Sequence, residues 1–149
     1  MKNLIVDIGN SRIKTAFFEE DQIVLEKAYE SLEEFKLEIG KLNFEHCIIS
    51  SVKFSEEELK MKFNFDFLYL TRQTAIPITN KYGTPDTLGV DRKAAAVGAR
   101  AMFGEGNLLS IDLGSCITYD FLNQKNEYLG GAISPGLKMR FQAMHQMTA

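Results

Sequence analysis

The strongest constraint on how this chain folds is a pattern it carries twice. Residues 3–8 form a short apolar run, Asn-Leu-Ile-Val-Asp-Ile, that ends at Gly9-Asn10-Ser11, and residues 107–113 run in the same way into Gly114-Ser115. An offset of 105 sets Leu4 on Leu109, Asp7 on Asp112 and Gly9 on Gly114, and it matches Val6 with Ile111, Ile8 with Leu113 and Phe17 with Leu122 in character. An apolar run ending in glycine predicts a buried strand entering a tight turn. Its recurrence in the same strand, Asp-x-Gly, strand context predicts an internal duplication.

The stretches between the copies fill in the order. Residues 12–18 alternate, with Ile13, Thr15 and Phe17 on one face, and 22–29 supplies a third strand, so the chain opens as a β-meander. Ser31 with Glu34 and Ser55 with Glu58 are capping-box pairs that predict helices over about 31–42 and 55–63. Strands are expected at 46–52 and 67–70, giving βββαβαβ. Thr84-Pro85 places an N-cap before a proline at the first helical position. Residues 90–103 are Ala-rich with little β-branching and predict a long helix packed through Ala94, Val97, Gly98 and Ala101, ended by Gly104-Glu105-Gly106. Strands at 107–113, 116–122 and 127–133 follow, and a final helix begins after Ser134-Pro135-Gly136. The expected domains are 1–106, the first lobe with its linking helix, and 107–149, the start of a second.

Composition narrows the class. Apolar residues make up 45% and charged residues 25%, the balance of a soluble folded domain. No apolar run approaches the roughly 20 residues of a membrane span, and Lys2 leads into a strand without a signal-peptide pattern, so a cytoplasmic protein with no membrane partner is expected. A net charge of −3 lacks the basic excess of a nucleic-acid footprint. The first 75 residues carry ten Lys/Arg against fourteen Asp/Glu, and the remainder seven against six, which permits an anionic ligand in the second half. Cys47 and Cys116 have no CxxC or CxxH spacing and are expected to be reduced thiols. His46 and His145 stand singly, without partners at metal-ligand spacing.

An Asp at the end of a buried strand, followed by a glycine turn, sets a carboxylate beside backbone N–H groups that a larger side chain would shield. This suits a nucleotide phosphate tail and its magnesium. One such turn alone is ordinary turn chemistry; two in matched context are expected to grip a nucleotide from both sides, with Asp7 near the metal.

The motifs Asp7-Ile8-Gly9-Asn10-Ser11-Arg12, Gly89-Val90-Asp91-Arg92, Asp112-Leu113-Gly114-Ser115 and Gly130-Gly131-Ala132-Ile133-Ser134-Pro135-Gly136, in this order, resemble the type III pantothenate kinases of the actin-like ATPase superfamily. The resemblance implies an α/β, ribonuclease H-like, duplicated fold. It also implies a reaction, transfer of the ATP γ-phosphate to the hydroxyl of pantothenate as the first step of coenzyme A synthesis. It implies Mg2+, a monovalent cation such as K+ or NH4+, and a homodimer. By position, Asp7, Ile8, Gly9, Asn10, Ser11, Arg12, Ile13 and Lys14 match the first ATP-phosphate segment, and Ser115 a second ATP contact where the family usually has threonine. Tyr82, Gly89, Val90, Asp91 and Arg92 match the pantothenate segment, with Asp91 as proton acceptor, and Asp112 matches the ligand of the monovalent cation.

An Arg beside that Asp offers a bidentate fork to a substrate carboxylate, although Asp91-Arg92 is also an ordinary exposed pair at a helix start. Lys14 on an alternating strand is also placed to point to solvent. The second lobe of the family carries βββαβαβα, of which only βββα is expected before Met147-Thr148-Ala149. An incomplete lobe exposes a sheet edge and an apolar face, and the alternative function is a non-catalytic nucleotide-binding or regulatory relative held together by oligomerisation.

Overall fold

The computed structural model describes residues 1–147; Thr148 and Ala149, placed by the sequence at the end of the last helix, lie outside the described residues. By contact the chain divides into Met1–Thr71 and Arg72–Ala149.

The first unit is a five-stranded sheet in the order β3-β2-β1-β4-β5, built from β1 (Lys2–Ile8), β2 (Ile13–Glu19), β3 (Gln22–Tyr29), β4 (His46–Ser51) and β5 (Leu68–Tyr69). The meander is antiparallel and β4 and β5 add in parallel, so the crossovers must carry helices. These are α1 (Leu32–Ile39) and α2 (Glu56–Lys62). Leu4, Val6 and Ile8 of β1, each 1% exposed, join Phe35 and Ile39 of α1 and Leu59 of α2 in one core. Phe63 belongs to the same core, and Phe67 meets the rings of Phe63 and Phe65 edge-on. The Ser55–Glu58 capping box is complete. In α1 it is divided: Ser31 Oγ accepts from the Glu34 amide, but the Glu34 carboxylate turns back to the Glu30 amide at 3.0 Å.

In the second unit, a four-stranded sheet runs β6-β9-β8-β7, from β6 (Thr79–Asn80), β7 (Leu108–Leu113), β8 (Cys116–Leu122) and β9 (Glu127–Pro135). The helix α3 (Val90–Phe103) packs on β7 and β8, which is why contact assigns it to this unit, whereas the duplication places the boundary after 106. Ile78, Leu88, Ala96, Leu122 and Tyr128 form its core. Arg100 clamps the end of α3, donating to the carbonyls of Gly104, Gly106 and Asn123, and Gly104 closes the helix at φ 67°. The last helix, α4 (Leu137–Met147), has no buried side chain.

Three local expectations are corrected. Thr84 makes no side-chain cap, and Pro85–Thr87 is a single 3-10 turn that stops at Leu88 before α3 starts afresh from Gly89. The buried positions of α3 are Arg92, Lys93 and Ala96; of the expected stripe, Val97 packs against the core, while Ala94 and Ala101 are exposed. The duplication also slips by one after the turn. Leu4 pairs with Phe17 and Leu109 with Phe121, so Phe17 corresponds to Phe121 and not to Leu122. The second turn is one residue shorter, closed by Gly114 N–H to the Cys116 carbonyl where the first runs from Gly9 N–H to the Arg12 carbonyl.

Candidate functional site

In the first unit, Asp7 is the penultimate residue of β1, half-buried, and opposite Lys14 in the β1–β2 register. Its neighbour in β4 is Ser50, whose hydroxyl donates to Asp7 Oδ1 at 3.2 Å. Gly9 to Arg12 form the turn, with Asn10, Ser11 and Arg12 exposed. Ile8 and Ile13 are core residues rather than contacts in solvent, and they fix the two ends of the turn. Lys14 is exposed on the outward face of β2. Beside the turn a cleft of about 210 Å³ is bordered by Ser11, Arg12, Glu30, Lys53 and Lys62. Arg12 Nε lies 3.3 Å from Glu30.

In the second unit, the corresponding Asp112, Gly114 and Ser115 are all exposed. The turn is held from below by Gly136, whose N–H donates to the Ser115 carbonyl at 3.1 Å; a Cβ there would meet the Gly114 and Ser115 carbonyls. A Cβ on Gly131 would overlap the Tyr119 carbonyl of β8. Gly131 and Gly136 therefore answer to close backbone approach, whereas Gly130 has φ 103° and faces the Tyr82 ring.

The structure brings Tyr82 against Arg92 at the start of the helix that carries Val90, Asp91 and Arg92. Gly89 is the N-cap of α3 without a side-chain cap, leaving Val90, Asp91 and Arg92 in its first turn. The exposed carboxylate of Asp91 sits where the helix dipole favours negative charge. Arg92 is 6% exposed and turns inward. Its Nε donates to Asp120 Oδ1 at 2.8 Å, its Nη2 lies in ion-pair contact with the same oxygen at 2.6 Å, and the Tyr128 hydroxyl donates to it at 2.5 Å. The Tyr82 ring lies against the guanidinium, 5.8 Å from Cζ, and 6.2 Å from the Tyr128 ring. Burial opposes the charge on Arg92, but the hydrogen bond and attraction of Asp120 outweigh it and its pKa is raised. Burial first, then the bond to Asp120, raises that of Tyr128. The next residue, Lys93, reaches the Arg72 and Thr74 carbonyls, and burial lowers its pKa.

Asp120 and Tyr128 are absent from the sequence-based set. A lone carboxylate between Tyr119 and Phe121 on an apolar strand signals a buried partner, but only the fold identifies it as Arg92. Among the described residues no three His, Cys, Asp or Glu gather as a metal cluster. A cation at Asp112 or Asp7 would thus be completed by backbone and ligand oxygens, a donor set that fits a hard ion such as K+ or Mg2+ and not zinc. His46 and His145 are exposed. Cys47 is buried, which pushes its thiol up to about 12.

Residues 3–149 match the type III pantothenate kinase family. The chain belongs to that family. A type III pantothenate kinase from Flavobacterium johnsoniae is 41% identical over 152 residues, covering 98% of this chain and 62% of the relative. The chain spans a little over three fifths of the length of the curated relatives it matches. Among solved structures, a Baf family protein from Campylobacter jejuni aligns with a TM-score of 0.59 at 22% identity, over 97% of this chain and 60% of that one. The type II variant of the Aquifex aeolicus Ppx/GppA phosphatase aligns at 0.57 and 14%, over 98% and 55%. The fold of this pantothenate kinase family member is the actin-like α/β fold. No helix among the described residues is long and apolar enough to cross a membrane.

Proposed function

We propose that the protein of this chain phosphorylates pantothenate with ATP in coenzyme A synthesis. The observation that carries the proposal is the convergence of Tyr82, Gly89, Asp91 and Arg92 at the start of α3. There one exposed carboxylate and one buried guanidinium are held on successive residues.

In this reading Asp91 orients the acceptor hydroxyl and takes its proton. Phosphoryl transfer has a loose transition state, so positioning and charge stabilisation carry more of the rate than the base does. Arg92 faces the pantothenate carboxylate, and Tyr82, Gly89 and Val90 shape the pocket. The turn from Asp7 to Lys14 holds the ATP phosphates, with the cluster of Arg12, Lys53 and Lys62 supplying positive charge and Asp7 holding magnesium through water or phosphate. Ser115 offers a hydroxyl to ATP, and Asp112 takes K+ or NH4+. A cytoplasmic homodimer completes the proposal.

The test is phosphopantothenate formation from ATP with Mg2+, across K+ and NH4+ concentrations. Turnover of a sugar or acetate and none of pantothenate overturns it. Asp91→Asn is expected to lower turnover about 10² to 10⁴-fold at nearly unchanged ATP affinity, whereas Asp7→Asn raises the magnesium and ATP requirement. Equal loss of ATP binding in both variants contradicts this division of roles.

A further inference from the structure

The buried carboxylate of Asp120 is loaded on one side only. Arg92 Nε and the Tyr128 hydroxyl donate to Oδ1 and Arg92 Nη2 is in ion-pair contact with it, while Oδ2, also buried, has no hydrogen-bond partner among the described residues. A buried Arg–Asp pair built for stability alone gains most from two parallel bonds to two oxygens, and a buried acceptor without a donor is costly. This pair gives up the fork, and the sacrifice has a geometric result. One oxygen holds the Nε/Nη2 edge of the guanidinium, the Tyr82 ring covers its face, and the weak contact of Nη2 with the Tyr119 carbonyl at 3.5 Å pins the same edge. Nη1 is outside all these bonds. Tyr82 is itself kept in place by Gly130, where a Cβ would come within 2.8 Å of its Cδ2.

We propose that Asp120 and Tyr128 are positioning residues for acceptor recognition: they aim Arg92 so that Nη1 meets the carboxylate of the acceptor. The proposal rests on the assignment of pantothenate as acceptor. Because Asp120 already offsets the charge of Arg92, discrimination between a carboxylate and a neutral group comes from direction rather than from net charge. The guanidinium, set by a fixed edge and an aromatic face, rewards only an oxygen placed in line with Nη1.

The experiment is calorimetric titration of this chain with pantothenate and with panthenol, which ends in a neutral alcohol instead of the carboxylate. The wild type is expected to prefer pantothenate by about tenfold or more, the worth of one charge-assisted hydrogen bond. Tyr128→Phe and Asp120→Asn are expected to bring that ratio towards one through weaker pantothenate binding, with panthenol binding within twofold of wild type. Arg92→Ala and Arg92→Ala/Asp120→Asn are expected to be indistinguishable in the ratio, because Asp120 acts through Arg92. A purely structural ion pair would lower both affinities equally, or only the melting temperature, and either result overturns the proposal. So does a ratio unchanged in Tyr128→Phe, the variant that keeps the ring and the ion pair and serves if Asp120→Asn does not fold. If the wild type binds neither compound, the acceptor assignment itself falls, and the positioning proposal with it.

Discussion

The two copies of the strand before the Asp-x-Gly turn share their alternation and differ in what lies over them. Leu4, Val6 and Ile8 are each 1% exposed, while their counterparts Leu109, Ile111 and Leu113 are 60%, 52% and 75% exposed. In the first unit that face is roofed by α1 and α2, which follow β3 and β4. In the second, the helix that follows the meander is α4, and its Leu137, Phe141 and Met144 are exposed as well. The covered face of the second sheet is the opposite one, under α3. Alternation in a strand therefore tells which side chains share a face, and cover is a property of elements elsewhere in the chain.

The largest expected effect tests this difference directly. Leu4→Ala should destabilise the first unit by about 2–5 kcal/mol, since it empties a closed core, while Leu109→Ala should cost under about 0.5 kcal/mol, as at a surface position. Urea unfolding with hydrogen exchange at the amides of each sheet separates the two. A loss of several kcal/mol at Leu109 would mean that its face is covered in solution, and the contrast would fail.

The next effect concerns the backbone. Gly131→Ala pushes a methyl against the Tyr119 carbonyl and should cost about 1–3 kcal/mol in the second unit, the usual range for overpacking. At Gly9 the nearest atom to a Cβ is the Arg12 carbonyl at 3.2 Å, which a turn yields to more readily, so Gly9→Ala should cost less. Equal melting temperatures for the two variants would show that β8 and β9 part more easily than their close approach indicates.

Much of this was legible because it is local. The meander, the two capped helices and the long helix from 90 to 103 follow from periodicity and end signals, and the glycines marked the turns after β1 and β7 and the end of α3. What escaped the sequence is pairwise and distant. The strand β6 is two residues paired in parallel with β9, too short for any periodicity. The burial of Arg92 and Lys93 ran against composition, which favoured the alanines of α3, because the carbonyls of Arg72 and Thr74 and the carboxylate of Asp120 are supplied by other segments. The candidate acceptor residues were found through their motif, whereas Asp120 and Tyr128 lie 28 and 36 positions beyond Arg92 and belong to no motif quoted for the family.

Alkaline titration gives each unit its own marker. The Cys47 thiol is raised by burial from 9.0 to about 12, and Tyr128 is raised above its ordinary 10.0. An acid whose folded pKa is raised contributes stability that is intact below its unfolded value and lost as pH climbs through the folded one. The first unit should thus begin to weaken above pH 9 and the second above pH 10. Cys47→Ala should remove the first dependence, and Tyr128→Phe the second, in denaturation midpoints measured from pH 8 to 12. Identical slopes in wild type and Cys47→Ala would argue that the thiol is reached by water.

The smallest effect tests the roof itself. Both covering helices begin on a serine whose hydroxyl accepts from the third backbone amide, but only α2 returns the bond from its glutamate to the cap residue. Ser31→Ala and Ser55→Ala should each cost about 1 kcal/mol in the first unit. Glu58→Ala should add a further loss by freeing the Ser55 amide, whereas Glu34→Ala releases the Glu30 amide, one residue outside the helix. That amide is exposed and water replaces its partner, so Glu34→Ala should cost only a few tenths of a kcal/mol. Because the caps hold α1 and α2 and not α3, exchange in β7 and β8 should stay at wild-type rates in all four variants. Faster exchange there would mean that the second sheet depends on the roof of the first.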